Sequence, residues 1–362
     1  MAKVSHRTIL PVVAAILLCA GCSTVPLDEA RRNFNAGALA EADRNLASLP
    51  DDRDRILYLM ERGMIRHVRC DYTNSTADWL EAVKLETQLE THSMTKAGAS
   101  LVVNDSLLSF RGYPYERTLL HVFLAKNYLA RGLWEDAAVE ARSIARRLQQ
   151  LDGFPDDALS HYITAFCFEL CGDYSNAAMQ YRETAKMVPL LGLNEKTGRF
   201  TSPPQPNESE LVCFVDFDFR NGMMPEFAEI YAGDRLLGTS RTLFTRSTME
   251  AASCQRMAAR RTAKILTRIA LKESLALYAS SKDNDLGGLV WLLLFSMEKE
   301  DVRRWETLPG KMAVVRVACL DTLPGFDVVF KSYSGAVLRR ITIQGPLLKK
   351  GRIFVGLCRD NP

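Results

Sequence analysis

The sequence is short of histidine, with 5 in 362 residues, and it lacks the short signatures that mark the common catalytic sites. It has no Gly-x-Ser-x-Gly elbow, no Gly-Lys-Ser/Thr phosphate loop, no His-Glu-x-x-His and no Gly-x-Gly-x-x-Gly dinucleotide turn. Metal ligands are poorly supplied as well. His67, His92, His121 and His161 stand apart, and Cys167 and Cys171 are four residues apart rather than in a Cys-x-x-Cys pair. Neither a metal nor a cofactor is expected. An excess of one charge is missing too: 46 basic and 43 acidic residues give a formal net charge of +3, and no general pull towards nucleic acid. The apolar stretch Leu286–Met297 falls short of the roughly 20 residues that a membrane span needs. It suits a buried helix or one that dips into a membrane surface.

What the chain does have begins at its N-terminus. Lys3, His6 and Arg7 precede an apolar run from Ile9 to Leu18, which ends in Cys19-Ala20-Gly21-Cys22. A basic head, a short apolar run and a small-residue exit describe a secretory signal over residues 1–21. The exit resembles the bacterial lipobox, with Cys19 where leucine is usual. That resemblance implies cleavage before Cys22, lipid on its thiol and a place in the cell envelope; an ordinary cleaved signal with an incidental Cys22 is the alternative. Ser23, not aspartate, follows the cysteine, and the resemblance then implies the periplasmic face of the outer membrane, with the inner membrane as the alternative. Losing Lys3 and Arg7 leaves 44 basic residues from the 46, against 43 acidic. Seven cysteines follow Cys22, an odd number with mostly apolar neighbours, which fits buried thiols with room for one or two disulfides.

Residues 22–195 read as successive amphipathic helices. In the clearest unit Tyr128 precedes Gly132 by four, Trp134 follows that glycine by two and Ala137 by five. Phe168, Gly172, Tyr174 and Ala177 repeat the pattern, with weaker copies at Gly37, Leu39 and Ala42 and at Cys70, Tyr72 and Ser75. Glycine suits the left-handed turn, aromatics fill the space between paired helices, and alanine permits close crossing. The pattern resembles the tetratricopeptide repeat. That implies an all-α array with a concave groove for protein segments. His121 and His161 hold equivalent places in it, which suits packing positions.

The polar, proline-rich stretch 196–208 reads as a linker to a second domain, residues 209–362. Leu211–Phe219 alternates as a strand, with Asp216 and Asp218 opposite its apolar face. Two such acids can bind a metal or act as acid and base; a solvated strand edge is the plainer account. A long helix is expected over residues 247–280, and Arg256, Arg260, Lys264, Arg268 and Lys272 form a basic stripe along it. The stripe suits a solvated or internally paired face, or contact with lipid phosphate or an acidic partner. Strands near Met312–Leu320, Phe326–Ser332, Val337–Gln344 and Ile353–Leu357 predict an antiparallel sandwich or sheet. The fold class is α+β, a repeat array followed by a sandwich-like domain with a long helix.

Tyr113-Pro114-Tyr115-Glu116-Arg117, the segment from Leu124 to Arg142, and Arg303-Arg304-Trp305-Glu306-Thr307-Leu308-Pro309 resemble a family of uncharacterised bacterial lipoproteins. These combine helical repeats with a C-terminal β domain, and the resemblance implies an envelope-associated accessory role without catalytic residues. Glu116 and Glu140 lie in these stretches and read as helix caps or partners of Arg117 and Arg142. The expected function is a membrane-anchored scaffold or adaptor that meets envelope proteins through its repeat groove. An enzyme acting on cell-wall or lipid substrates, with Asp216 and Asp218 as its carboxylates, is the competing class.

Overall fold

The computed structural model describes residues 25–50, 53–95, 110, 112–219, 223–259 and 303–360. Cys22, the apolar stretch Leu286–Met297 and four members of the basic stripe, Arg260, Lys264, Arg268 and Lys272, lie outside them.

Helices pair along the first half: α1 (Val25–Asn35) with α2 (Leu39–Asn45), α3 (Arg55–Val68) with α4 (Tyr72–Thr95), α5 (Pro114–Leu129) with α6 (Trp134–Gln149), and α7 (Ala158–Leu170) with α8 (Tyr174–Met187). The turn within each pair is the same. Gly37, Cys70, Gly132 and Gly172 all take left-handed φ, of 79°, 61°, 70° and 79°. After each of them the next residue's N–H reaches back five residues to a helix carbonyl: Ala38 to Asn33, Asp71 to Arg66, Leu133 to Tyr128 and Asp173 to Phe168. This is the Schellman arrangement, which satisfies the helix's last carbonyls. Cys70 does so without the freedom of glycine, at the cost of a conformation that L side chains rarely adopt. Five residues beyond the turns, Ala42, Ser75, Ala137 and Ala177 are all buried where the paired helices cross.

The second half forms two sheets. β1 (Glu208–Phe217) lies at the centre of the first, in the order β4 (Arg241–Thr245), β5 (Lys311–Leu320), β1, β9 (Ile353–Arg359), β8 (Leu348–Lys350). β2 (Phe227–Ala232), β3 (Arg235–Thr239), β6 (Gly325–Lys331) and β7 (Val337–Gln344) make the second, in the order β3-β2-β6-β7. Leu211, Cys213, Val215 and Phe217 of β1 meet Ile230, Phe326, Val328 and Phe330 of the second sheet in one apolar core. The expectation of an antiparallel sandwich needs one correction, because β1 and β9 run parallel. A helix over residues 246–259 follows β4 and reaches the edge of the described residues.

The other face of β1 is buried as well, against the helices. Tyr162 and Phe166 of α7 pack on Phe214, and Phe123 of α5 belongs to the same continuous core as Val212, Met312 and Val314. The groove that the repeat pattern predicts is therefore filled by the chain's own sheet, since α3, α5 and α7 turn their inner faces to it. The solvated strand edge expected for Asp216 and Asp218 is also corrected. Asp216 lies 2.6 Å from the ammonium of Lys126 on α5, and Asp218 accepts two hydrogen bonds of 2.8 Å from Arg359. A carboxylate facing another layer loses its water, so it persists only with a charged partner.

Residues 303–309 tie the layers together. The buried Glu61 of α3 accepts from the backbone N–H of Glu306 (2.9 Å) and Thr307 (3.2 Å), and Glu116 of α5 accepts from the N–H of Trp305 (2.7 Å). The Trp305 ring packs against Trp79 and Phe123, at centroid separations of 6.0 and 5.8 Å. Glu116 also caps its own helix by accepting from the Tyr113 N–H (2.7 Å), whereas Arg117 pairs with Glu86 and Glu90. Burial outweighs these hydrogen bonds and raises the Glu116 carboxyl from 4.5 to about 7.

This carboxyl holds its proton more tightly folded than unfolded. Its contribution to stability is thus full below pH 4.5 and is lost as pH rises to about 7. The expected result is a wild-type-minus-Glu116→Gln stability difference that falls by about 2–3 kcal/mol across that window, measured by urea titration at several pH values. A flat difference would contradict the assignment.

Candidate functional site

At the α8 end of the array the helices and the first sheet part to leave a cleft of about 660 Å³. Its walls are the end of α7 (Glu169, Leu170), the α7–α8 turn and one face of α8 (Gly172, Tyr174, Ala177, Tyr181), the chain from Lys196 to Pro204, Glu210 of β1, and the β8–β9 turn with Lys350, Gly351, Arg352 and Ile353. The turn that carries Lys196 and Arg199 is tightly made. The Asn194 side chain accepts from the N–H groups of Lys196 and Thr197, and the Asn194 carbonyl accepts from that of Gly198. Gly198 takes a left-handed φ of 64°, and a Cβ there would lie 2.2 Å from the Tyr181 ring, so this backbone seats directly on the aromatic. Tyr162 fixes the same residue by donating its hydroxyl to the Gly198 carbonyl at 3.0 Å.

Beneath the cleft lies a buried charge network. Arg316, fully enclosed on β5, donates to Glu169 (2.6 and 2.8 Å), to Glu210 (2.8 Å) and to the Tyr181 hydroxyl (2.9 Å). Arg199 clasps the other side of Glu210 with two bonds, of 2.7 and 2.9 Å, and Tyr181 donates to Glu169 at 2.6 Å. Burial alone would raise the Glu210 carboxyl. The hydrogen bond and charge of Arg316, followed by those of Arg199, overcome it and hold the group below its ordinary value. Two carboxylates thus answer two guanidiniums. Lys196, Lys350 and Arg352 remain around the mouth with positive charge. Lys350 reaches Glu135 at 3.4 Å, and Arg352 donates to backbone carbonyls of Gln205 and Glu208.

The residues singled out from sequence are distributed as follows. Gly132, Trp134, Ala137, Phe168, Gly172 and Ala177 stand at the helix turns and crossings, and Tyr128 is half-buried there. Tyr174 does not pack between helices: it is 69% exposed, against 9% for its counterpart Trp134. Trp134 is covered by the following α7, with Cys171 just beyond that helix donating to the Trp134 carbonyl, while among the described residues no further repeat-like helix pair follows α8. Tyr174 is left at the mouth of the cleft instead. Arg256 is turned inward, with its guanidinium donating to the Asp152 carbonyl at 3.1 Å and lying against Gly153. His121 and His161 reach equivalently across their helix pairs, to Glu140 and Gln180, each at 2.6 Å. Glu140 therefore answers His121 rather than Arg142. All seven cysteines from Cys70 to Cys358 are free thiols, four of them buried.

Sequence reasoning missed Arg316, Glu169, Glu210 and Arg199. Arg316 carried a signal, because it interrupts the apolar run from Met312 to Val317 within a strand. Among the described residues no group of histidine, cysteine, aspartate or glutamate is arranged to hold a metal, and no helix is long and apolar enough to cross a membrane. No family model, curated protein or solved structure matches the chain.

Proposed function

We propose that the protein is a lipid-anchored scaffold of the bacterial envelope, held to the membrane at Cys22, whose partner contact is the cleft at the α8 end. The four helix pairs act as tetratricopeptide-like units; the identical Schellman turns at Gly37, Cys70, Gly132 and Gly172 support this. Their inner face serves as an internal platform for the sheet, so the external contact shifts to the end of the stack. One observation carries the reading. The cleft is built from rigid turns over a neutralised charge network, and a large aromatic, Tyr174, is left exposed at its mouth. Exposed aromatics beside fixed polar groups are common anchors of protein contacts.

Two measurements test the two halves of the reading. Cys22→Ser is expected to move the protein from the membrane fraction to the soluble fraction; retention in the membrane would overturn the anchor. A photo-crosslinking residue at position 174, introduced in intact cells, is expected to trap a reproducible protein partner. The same residue at Tyr333, exposed in the β6–β7 turn of the second sheet, should trap none. No adduct at 174, or equal adducts at both positions, would overturn the cleft as the contact.

A further inference from the structure

The rim of the cleft is not electrically neutral, although its floor is. Glu169 and Glu210 are each held by a guanidinium within 2.8 Å, so their charge is answered inside the protein by Arg316 and Arg199. What remains facing the mouth is the positive charge of Lys196 and Arg352, with Lys350 beside them and shared with the exposed Glu135 at 3.4 Å. These come from two separate turns, the one closed by Asn194 and the one between β8 and β9, and both are fixed by backbone hydrogen bonds. The Glu210 N–H donates to the Arg352 carbonyl at 2.9 Å, which ties the second turn to the sheet.

A compact phosphate is usually gripped by donors that converge on one point, often backbone N–H groups of a helix start or nest. The start of α8 is already satisfied by the Asp173 side chain, which accepts from the Asn176 N–H. The cations here are spread along the mouth instead, with the Tyr174 ring and Pro203-Pro204 as apolar wall between polar groups. That spacing fits a chain that carries several carboxylates with apolar atoms between them.

We infer that the cleft binds an acidic peptide segment of the partner, with its carboxylates on Lys196, Lys350 and Arg352 and an apolar side chain against Tyr174. This rests on the scaffold reading above and names the chemistry of its contact.

The test is fluorescence anisotropy with the mature chain and a labelled octapeptide of alternating Glu and Leu. The same peptide with Gln for Glu is the control. The acidic peptide is expected to bind at least tenfold more tightly than the Gln form, with affinity falling as salt rises from 50 to 300 mM, because exposed charges are screened within about 8 Å at physiological ionic strength. The double variant Lys196→Glu/Lys350→Glu is expected to weaken binding tenfold or more at an unchanged melting temperature. Arg235→Glu, an exposed reversal on β3, should leave it unchanged. Equal binding of both peptides, or loss in the β3 variant, would overturn the inference. So would binding of inorganic phosphate or phosphatidylglycerol vesicles, with competition, at the same residues. The two readings fail separately: a position-174 adduct that survives Lys196→Glu/Lys350→Glu keeps the scaffold and removes the acidic segment.

Discussion

Replacing Arg316 with methionine is expected to destabilise the folded chain by about 3–5 kcal/mol, among the largest effects of any single substitution in it. The guanidinium is fully enclosed and holds two carboxylates and a tyrosine from three elements, so its loss leaves acids buried without their counter-charge. The two acids do not suffer equally. Glu210 keeps both hydrogen bonds from Arg199, but Glu169 keeps only the Tyr181 hydroxyl. The cost should therefore be concentrated at Glu169, and adding Glu169→Gln to the Arg316→Met chain should restore about half of it. Denaturant titration of the four chains of this cycle gives the result directly. Strict additivity of the two single costs would show that Arg316 does not act through Glu169.

The second large effect is expected at Lys126, near the middle of the molecule. Its ammonium lies 2.6 Å from Asp216, with the Phe123 ring centroid 4.7 Å away and the sulfur of Met312 at 3.9 Å. Burial works to lower the lysine's pKa, and the charge and hydrogen bond of Asp216 only partly offset it. Such a pair contributes little net stability when intact, yet breaking it is costly because the surviving charge is stranded. Lys126→Met alone should cost about 3–5 kcal/mol, and Asp216→Leu alone a similar amount. The double variant should return to within about 1 kcal/mol of the wild type, since aromatic and thioether neighbours receive apolar side chains readily. A double variant as unstable as the sum of its parts would overturn this account.

Much of the local structure was legible in the residues themselves. The strand expected at Val337–Gln344 is found over those residues, and the turns marked by Gly37, Cys70, Gly132 and Gly172 all adopt the left-handed backbone that the pattern requires. Both signals are local, because alternation and turn chemistry act over fewer than ten residues. What covers a face is not local. The alternation in β1 set Asp216 opposite Cys213, Val215 and Phe217, but only the fold reveals Lys126, 90 positions earlier in the chain, above it. Arg316 and Glu169 are separated by 147 positions, and no periodicity links them. Tyr174 shows the same limit from the other side. It occupies the same place in the pattern as Trp134, yet among the described residues no helix covers it as α7 covers Trp134.

The order in which the strands take their places bears on how the protein is made. β9, the last of the described strands, pairs with β1 on one side and β8 on the other, so the first sheet closes only once residues 353–359 have joined β1. Lys126 and Glu169 gain their partners earlier, when β1 brings Asp216 and β5 brings Arg316, whereas Arg359 of β9 arrives last to meet Asp218. A ribosome delivering this chain from its N-terminus thus releases the helical half before the sheet that covers its inner face. Chains cut short by even the length of β9 should then be seen by the cell as unfolded.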